Sequence, residues 1–457
     1  MSGTNTHTKQ TDETEATVPQ SLVVEPIRGK NGLKGVMRVP GDKSISHRAI
    51  ILGSVAAGET VVHGLLEGED VLRTVAAFRA MGVEITISEK GIYSIQGVGL
   101  DGLSEPNHVL DMGNSGTGMR LLTGLLASQS FFSVITGDDS LRTRPMGRVI
   151  QPLTRMGAVI LGRDGGRLAP LAIRGRELLP LEHQTGVASA QVKSAILLAG
   201  LNTAGVTQVT EPALSRDHTE RMLTGFGAVI QRDGLTVTLE GWPDLKGQTI
   251  RVPGDISSAA FFLVAGLLCP GSNLLIKGVG VNPTRTGLLD LLTEMGAGLA
   301  LSNPRLEGGE PVADIRVGFA ELKGITVPPE VIPRAIDEFP IFFVAAALAQ
   351  GQTTLAGAGE LRHKESDRIR AMALGLNQLG ARVEEHGDGV IIQGRPEGLE
   401  GGVTVDSLTD HRVAMSLAVA GLRCKNPVTI LRTANIATSF PDFVQQLKNI
   451  GGMIATS

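Results

Sequence analysis

Hydrophobic and polar positions along the chain repeat in units of about 70 residues. In each unit an apolar helical stretch ends at a glycine, and a run suited to β-strands follows. Residues 83–87 and 235–239 alternate between apolar and polar, which is typical of half-buried strands. A glycine at a helix C-terminus accepts a positive φ without strain. The pattern therefore predicts six α/β units, each ending in a hairpin. The glycines, 69 to 84 residues apart, are Gly82, Gly157, Gly227, Gly296, Gly380 and Gly451.

A longer repeat divides the six units into two groups. Residues 38–42, Arg-Val-Pro-Gly-Asp, recur as residues 251–255, which is 213 positions later (251 minus 38). Three units lie between the copies and three follow, so the sequence predicts an α/β (α+β) fold of two pseudo-threefold lobes. Proline fixes φ and glycine permits a bend. The chain is therefore expected to cross between lobes near 39–41 and 252–255, as in a hinge. The predicted domains are an N-terminal lobe, 40–254, and a C-terminal lobe, 255–457 with a strand added from 22–39.

Composition narrows the classes of function. With a net charge of −4 and a pI near 6.2, the chain lacks the basic surface of a nucleic-acid binder. Its two cysteines, Cys269 and Cys424, are expected to be small buried residues in reducing surroundings. Residues 1–21 are polar and are predicted to form a disordered tail. No 18-residue apolar span occurs. We expect a soluble, cytoplasmic protein with neither a membrane nor a nucleic-acid partner.

Cations and hydroxyls gather at predicted helix starts in the N-terminal lobe. Asp42 is a natural N-cap. Lys43, Ser44 and Arg48 follow in or beside the first turns, where helix amides and cations together favour an anion. An exposed first turn with solvated charges is the alternative. Weaker indications of anion binding near predicted helix starts or loops come from Gly116, Arg144, Ser189, Ala190, Gln191 and Arg216.

The C-terminal lobe adds carboxylates to these cations. Asp337 precedes an apolar helix, either as a cap or as a reactive acid. Lys364 and Arg368 are four residues apart, so they are predicted to share a helical face with Glu365 beside it. A salt-bridged surface helix is the alternative for that stretch. Arg412 stands at the entry of a further apolar helix.

Motifs for metals and cofactors are missing from the sequence. The nine histidines and two cysteines make no His-x-x-x-His or Cys-x-x-Cys spacing. There is no nucleophile elbow, Walker A motif or dinucleotide fingerprint. The pattern favours two polyanionic small molecules and acid–base chemistry without a metal or cofactor.

Five motifs together carry a family resemblance. They are Pro-Gly-Asp-Lys-Ser-x-Ser-His-Arg (40–48), Asn-x-Gly-Thr (114–117), Arg-Pro-Met-Gly (144–147), Lys-Glu-Ser-Asp-Arg (364–368) and Asp-His-Arg (410–412). In this order they resemble the 5-enolpyruvylshikimate-3-phosphate (EPSP) synthases, the glyphosate targets of aromatic amino-acid biosynthesis, over residues 22–457. The resemblance implies the enolpyruvyl transferase fold, two lobes of three βαβαββ units. It also implies transfer of the enolpyruvyl group of phosphoenolpyruvate to the 5-hydroxyl of shikimate 3-phosphate, with release of phosphate.

The resemblance also implies roles for individual residues. Asp337 is the expected base for the 5-hydroxyl, while Lys43 and Glu365 are expected to handle the proton at the methylene carbon. The residues expected to bind shikimate 3-phosphate are Lys43, Ser44, Arg48, Ser189, Ala190, Gln191, Arg216, Asp337 and Lys364. Those expected to bind phosphoenolpyruvate are Lys43, Gly116, Arg144, Gln191, Arg368 and Arg412. A cleft of like charges is expected to hold the lobes apart until the substrates bind.

Some positions distinguish branches and relatives of this family. Ala190, Arg216 and Thr438 resemble the class II branch, which is often insensitive to glyphosate. That branch commonly has alanine where this chain has Gly116, so the herbicide response stays open.

Two alternative functions are weaker. The UDP-N-acetylglucosamine enolpyruvyl transferases share the repeated fold. They expect asparagine after Lys43, where this chain has Ser44, and a loop cysteine that residues 138–148 lack. A non-catalytic phosphometabolite-binding repeat protein would not need Asp337 and Glu365 together. The protein is expected to be a monomer.

Overall fold

The computed structural model describes residues 21–456. Its α-helices are α1 (Lys43–Val55), α2 (Glu69–Ala80), α3 (Gly116–Ala127), α4 (Gly147–Arg155), α5 (Ala190–Gly200), α6 (His218–Phe226), α7 (Ile256–Leu268), α8 (Gly287–Glu294), α9 (Ile332–Ala335), α10 (Phe339–Ala347), α11 (Arg368–Gln378), α12 (His411–Gly421) and α13 (Phe443–Asn449). The strands before residue 255 are β1 (Ser21–Glu25), β2 (Lys34–Met37), β3 (Ala57–His63), β4 (Glu84–Glu89), β5 (Ile92–Val98), β6 (Leu110–Asp111), β7 (Phe132–Thr136), β8 (Val159–Arg163), β9 (Leu168–Arg174), β10 (Glu182–Gln184), β11 (Val206–Thr210), β12 (Ile230–Asp233), β13 (Thr236–Glu240) and β14 (Thr249–Arg251). The later strands are β15 (Asn273–Gly280), β16 (Ala300–Glu307), β17 (Glu310–Gly318), β18 (Gln352–Leu355), β19 (Arg382–His386), β20 (Gly389–Gln393), β21 (Leu399–Gly401), β22 (Thr404–Asp406), β23 (Cys424–Asn426), β24 (Val428–Leu431) and β25 (Met453–Thr456).

The six predicted units share one sheet topology. In the second unit the order is β6-β7-β9-β8, and in the third it is β10-β11-β13-β12. The first two strands of each are parallel and the final hairpin is antiparallel. The fifth unit keeps this order as β18-β20-β19, with an isolated parallel bridge between Thr326 and Thr354 at the position of the first strand. The α/β class and the repeated βαβαββ architecture are confirmed.

Three units borrow a strand from a distant part of the chain. β14 supplies the first strand of the first unit, beside β3, and β2 supplies that of the fourth unit, beside β15. β1 lies between β24 and β25 in the sixth unit. The N-terminal segment therefore pairs with strands of the last three units. Ser21, the last residue of the predicted tail, belongs to β1, and residues 1–20 lie outside the described residues.

The buried apolar side chains form two separate clusters. One is built from residues 45–252, and the other from residues 256–454 together with residues 22–39. Within each cluster the first helix of every unit is central: α1, α3 and α5 in one, α7, α10 and α12 in the other. α7 buries all 13 of its residues. A helix that is apolar all round is stable only inside a core, and α7 is of this kind. The N-terminal ends of all six central helices line the same cleft.

The six unit-ending glycines have the predicted conformation. Their φ angles lie between 88° and 102°, a range that L-residues with a Cβ rarely adopt. Each glycine ends a helix and turns the chain into the next strand. The two cysteines are buried and free.

A matched pair of substitutions in α6 tests this role of glycine. Gly227→Ala is expected to lower the free energy of unfolding by about 1 kcal/mol, because Gly227 has φ of 101°. Gly225→Ala is expected to raise it by up to about 1 kcal/mol, since that glycine is helical and open space surrounds it. Urea unfolding of both variants measures the difference. Equal effects in the two variants would contradict the argument.

The two Pro-Gly crossings lie side by side. The Asp42 amide donates to the Pro253 carbonyl oxygen and the Asp255 amide to that of Pro40, both at 2.8 Å. A Cβ at Gly41 would lie 3.0 Å from Val252 Cγ1 of the second crossing and 2.0 Å from the backbone oxygen of Gly64, so the chain needs glycine at this position. The repeated motif thus forms a short antiparallel pair between the lobes.

Candidate active site

A cavity of about 600 Å³ lies between the two clusters, at the N-terminal ends of the central helices. Side chains cap several of these helix ends, which face the cavity. The side chains of Asp42, Ser115 and Ser189 each accept a hydrogen bond from the first turn of α1, α3 and α5. Asp410 does the same for α12. The predicted residues that line the cavity are Lys43, Ser44, Gly116, Arg144, Ser189, Ala190, Gln191, Arg216, Asp337, Lys364, Glu365, Arg368 and Arg412.

Asp337 is the most densely paired carboxylate in the cavity. Four cations contact it: Lys364 Nζ and Arg368 Nη1 at 3.4 Å from Oδ1, Arg216 at Oδ2, and Arg412 Nη1, which donates to the backbone oxygen at 2.9 Å. Burial raises the pKa of the Asp337 carboxyl, but these cations lower it more, so it lies well below its usual value. The group is therefore ionised and able to accept a proton.

Glu365 is the second carboxylate of the cavity. Arg368 Nη2 donates to Oε2 at 2.6 Å, and Arg144 Nη1 lies 3.7 Å from Oε1. Burial raises the pKa of Glu365, while Arg368 and Arg144 lower it further, to well below its usual value. Like Asp337, Glu365 is set to receive a proton.

Lys43 points at a carboxylate that the sequence analysis missed. Its ammonium group pairs with Asp70, at the start of α2. Burial raises the pKa of Asp70, and Lys43 lowers it only in part. The other carboxylate oxygen of Asp70 is buried without a hydrogen-bond partner. No sequence signal marks Asp70, because an acid in a first helical turn is commonplace.

Gln191 is oriented by a second missed residue. Arg120 Nη1 donates to Gln191 Oε1 at 2.7 Å, and Gln191 Nε2 donates to Thr117 Oγ1 at 2.9 Å. Arg120 lies in α3, three residues after the Asn-x-Gly-Thr motif, and this closeness to the motif was the available signal. His411 also lines the cavity, and burial lowers its pKa to about 3. It is therefore a neutral imidazole.

Two sequence-based interpretations are wrong. Lys364 and Arg368 do not share a helical face, because Asp367 caps α11 and the helix begins only at Arg368. Lys364 has an extended backbone and still reaches Asp337. The expected cleft of like charges is also wrong, because its charges are of both signs and the lobes meet across it through ion pairs such as Arg148 with Glu360, at 2.9 and 3.0 Å. That the lobes stand apart until the substrates bind stays a prediction.

Two further residues differ from expectation. Arg48 is buried behind the cavity wall and donates to the Ser44 carbonyl oxygen and to Thr219 and Ser194. Asp255, in the second Arg-Val-Pro-Gly-Asp copy, lines the cavity although it was not among the predicted site residues.

Within residues 21–456, no three His, Cys, Asp or Glu side chains are grouped so that they could hold a metal ion. Over the same residues, no helix has both the length and the apolar character needed to cross a membrane.

Comparison with known proteins gives one consistent family. The family model described as EPSP synthase (3-phosphoshikimate 1-carboxyvinyltransferase) matches residues 27–447. A 3-phosphoshikimate 1-carboxyvinyltransferase of Magnetococcus marinus is 64% identical over 419 residues, 92% of this chain and 94% of the relative. Its namesake in Geobacter metallireducens is 56% identical over 431 residues, 94% of this chain and 99% of that one.

Solved structures agree with these sequence relatives. An EPSP synthase from Acinetobacter baumannii superposes with a TM-score of 0.86 at 48% identity, covering 96% of this chain and 100% of that one. The enolpyruvyl transferase NikO from Streptomyces tendae gives a TM-score of 0.76 at 18% identity, covering 96% and 99%. The second likeness extends to the fold alone.

Proposed function

Because the chain belongs to the EPSP synthase family, we propose that its cavity binds shikimate 3-phosphate and phosphoenolpyruvate side by side and that Asp337, Glu365 and Lys43 move the protons. The enzyme is a 3-phosphoshikimate 1-carboxyvinyltransferase of the shikimate pathway. The observation that carries the assignment of residues is the environment of Asp337. Its carboxylate lines the cavity in the charged form that a base requires, and the cations around it supply the charge to bind two phosphates.

The reaction divides into an addition and an elimination. In the addition, Asp337 takes the 5-hydroxyl proton, the oxygen forms a bond to C2 of phosphoenolpyruvate, and Lys43 donates a proton to C3. In the elimination, a proton leaves C3, the bond from C2 to the phosphate oxygen breaks, and the double bond is restored. The departing phosphate takes up one of the protons that Asp337 and Glu365 then hold, and the other returns to Lys43. Because Arg368 and Arg144 contact Glu365 and stabilise its charged form, we assign the donation of the first step to Lys43. We assign the uptake of a proton in the second step to Glu365.

The charged and polar groups that line the cavity form two proposed substrate sites. The helix starts of α1 and α5, with Arg216 and Lys364, form the proposed shikimate 3-phosphate site. Gly116, Arg144, Arg368 and Arg412 form the proposed phosphoenolpyruvate site, where planar guanidinium groups suit a carboxylate and a phosphate. Arg48 supports Ser44 through its carbonyl oxygen, so its direct contact with substrate stays a prediction.

We also propose that the two lobes move relative to each other and that the chain belongs to one branch of the family. The lobes of residues 40–254 and of 255–457 with 22–39 would move about the paired crossings, and the ion pair between Arg148 and Glu360 would close the cavity rim. Ala190, Arg216 and Thr438 support placement in the class II branch.

One assay tests the function. Phosphate release should require both phosphoenolpyruvate and shikimate 3-phosphate, and neither substrate alone should support it. Release with UDP-N-acetylglucosamine in place of shikimate 3-phosphate would favour the related transferase. No release under any condition, with both substrates bound in calorimetry, would favour a binding protein.

Gly116→Ala tests the proposed phosphoenolpyruvate site. A Cβ at this position would lie 2.9 Å from Arg120 Nη1 and 3.3 Å from Arg144 Nη1, so both guanidinium groups must shift. We expect the KM for phosphoenolpyruvate to rise about tenfold, equivalent to roughly 1.4 kcal/mol, with little change in the KM for shikimate 3-phosphate. Gly186→Ala, where a Cβ meets open space, is the control. An equal rise in both KM values would count against the assignment of sites.

A further inference from the structure

Arg285 joins the two Pro-Gly-Asp crossings. Its side chain is 3% exposed and lies between Asp42 and Asp255, the corresponding acids of the two copies. Nη1 lies 3.0 Å from Asp42 Oδ2, and Nη2 lies 3.3 Å from Asp255 Oδ1. Each aspartate also caps the first helix of its lobe, α1 or α7. The guanidinium group of Arg285 therefore forms ion pairs with the N-caps of both α1 and α7.

The same guanidinium reaches the residue beside the proposed base. Arg285 Nη2 donates to Ser257 Oγ at 2.7 Å, and Ser257 in turn donates to Glu338. Glu338 Oε1 is 3.7 Å from Arg285 Nη2 and is fully buried. It does not cap α10. Glu338 is the neighbour of Asp337, so contacts run from Arg285 to both sides of the cavity.

Charge balance depends on this residue. Three buried carboxylates, Asp42, Asp255 and Glu338, face Arg285. Arg412 Nη1 lies 3.6 Å from Glu338. Removing one partner of a buried ion pair leaves an uncompensated charge. Without Arg285, the two helix-capping aspartates would repel each other across the crossings and separate the lobes.

The cationic groups on neighbouring elements do not take the place of Arg285. His218 and Arg216 act on Asp42 from the N-terminal lobe, and Arg412 acts on Asp255. They contribute less to the pKa of Asp42 than Arg285 does. Among the described cations, Arg285 is the one with ion pairs to both aspartates.

We propose that Arg285 is a positioning residue for enolpyruvyl transfer, which sets the distance between the Lys43–Ser44 segment and Asp337 by binding both helix caps and the Ser257–Glu338 pair. The inference rests on the proposed function. Lys43 and Ser44 follow Asp42 directly in α1, and Asp337 precedes Glu338. A shift of one cap therefore moves one half of the site relative to the other. A misplacement of about 1 Å can cost on the order of 100-fold in rate.

Steady-state kinetics of Arg285→Met, Arg285→Lys and the double variant Arg285→Met/Asp255→Asn test this role. For Arg285→Met we expect kcat to fall on the order of 100-fold, while each KM changes by less than about fivefold, because the direct ligands remain. Arg285→Lys should lose about tenfold in kcat, since one ammonium group cannot replace a planar fork between two carboxylates. The double variant should regain at least about tenfold in kcat over Arg285→Met, because it removes the repulsion.

The control is Arg395→Met, which removes an arginine paired with Glu397 and Glu400 outside the cavity and should keep wild-type kinetics. Thermal melts of every variant confirm folding. A folded Arg285→Met enzyme with wild-type kcat overturns the inference, as does a double variant with no recovery. If Arg285→Met does not fold, wild-type kcat in Arg285→Lys overturns it. A wild-type enzyme that releases no phosphate with both substrates contradicts the proposed function instead.

Discussion

Asp337→Asn is expected to lower kcat about 10³-fold while shikimate 3-phosphate binds at least as tightly as before. General bases contribute roughly 10² to 10⁴ in rate, and the amide keeps the shape of the side chain but accepts no proton. The four surrounding cations stay in place. Because the substitution removes a negative charge, the electrostatic attraction of the site for an anionic ligand increases. Phosphate-release kinetics and calorimetry measure the two quantities separately.

Asp290→Asn is the matched control, since Asp290 pairs with Arg334 on the surface of the same lobe. A kcat for Asp337→Asn within about threefold of the control would remove Asp337 as the principal base. Weaker binding together with an unchanged kcat would instead indicate a purely structural anion.

The depressed pKa of Asp337 also predicts how the variant's stability depends on pH. A carboxyl whose pKa is lower in the folded state stabilises the protein above its unfolded pKa, near 3.9, and this stabilisation is lost as the pH falls through the folded value. Asp337→Asn should therefore be less stable than the wild type at pH 7. The difference should shrink in strongly acidic solution. Urea midpoints at pH 7 and pH 3 compare the two conditions, and a difference that grows in acid would contradict the assigned charge.

Local features of the fold could be predicted from the sequence, because they depend on neighbouring residues. A glycine after an apolar helix end predicts a left-handed C-terminus, and all six predicted positions have one. The N-caps of α1 and α5 follow from Asp42 and Ser189. Of the predicted site residues, 13 line one cavity, and eight of these lie in the five family motifs.

Features that depend on which lobes face each other could not be predicted. Lys364 and Arg368 suggest a shared helical face, but the Asp367 cap starts the helix later and both side chains reach Asp337 by different routes. The pairing of Asp337 with Arg216 and of Glu365 with Arg144, each across the two lobes, had no counterpart in the sequence pattern. Arg285 lies in none of the sequence motifs, and its proposed role depends on its contact with Asp42, 243 positions away. Long-range ion pairs of this kind have no local sequence signature.

Arg368→Met is expected to lower the free energy of unfolding by about 3 to 5 kcal/mol and to abolish turnover. Arg368 is 1% exposed and its Nε donates to Asp410 Oδ2 at 2.9 Å, while Asp410 is 0% exposed. Methionine fills a similar volume but leaves this aspartate buried without its cation. The same change removes the guanidinium that contacts Glu365 and Asp337, so the proposed phosphoenolpyruvate site loses a ligand.

Arg370→Met, two residues further along α11 and exposed, is the control and should change stability by less than about 0.5 kcal/mol. The double variant Arg368→Met/Asp410→Asn separates the two effects. Because it removes the uncompensated charge, it should recover part of the stability in urea unfolding. It should not recover turnover, since the guanidinium is still missing from the cavity. Equal stability of Arg368→Met and Arg370→Met would contradict the buried ion pair, and full activity of the double variant would contradict the proposed contact of Arg368 with phosphoenolpyruvate.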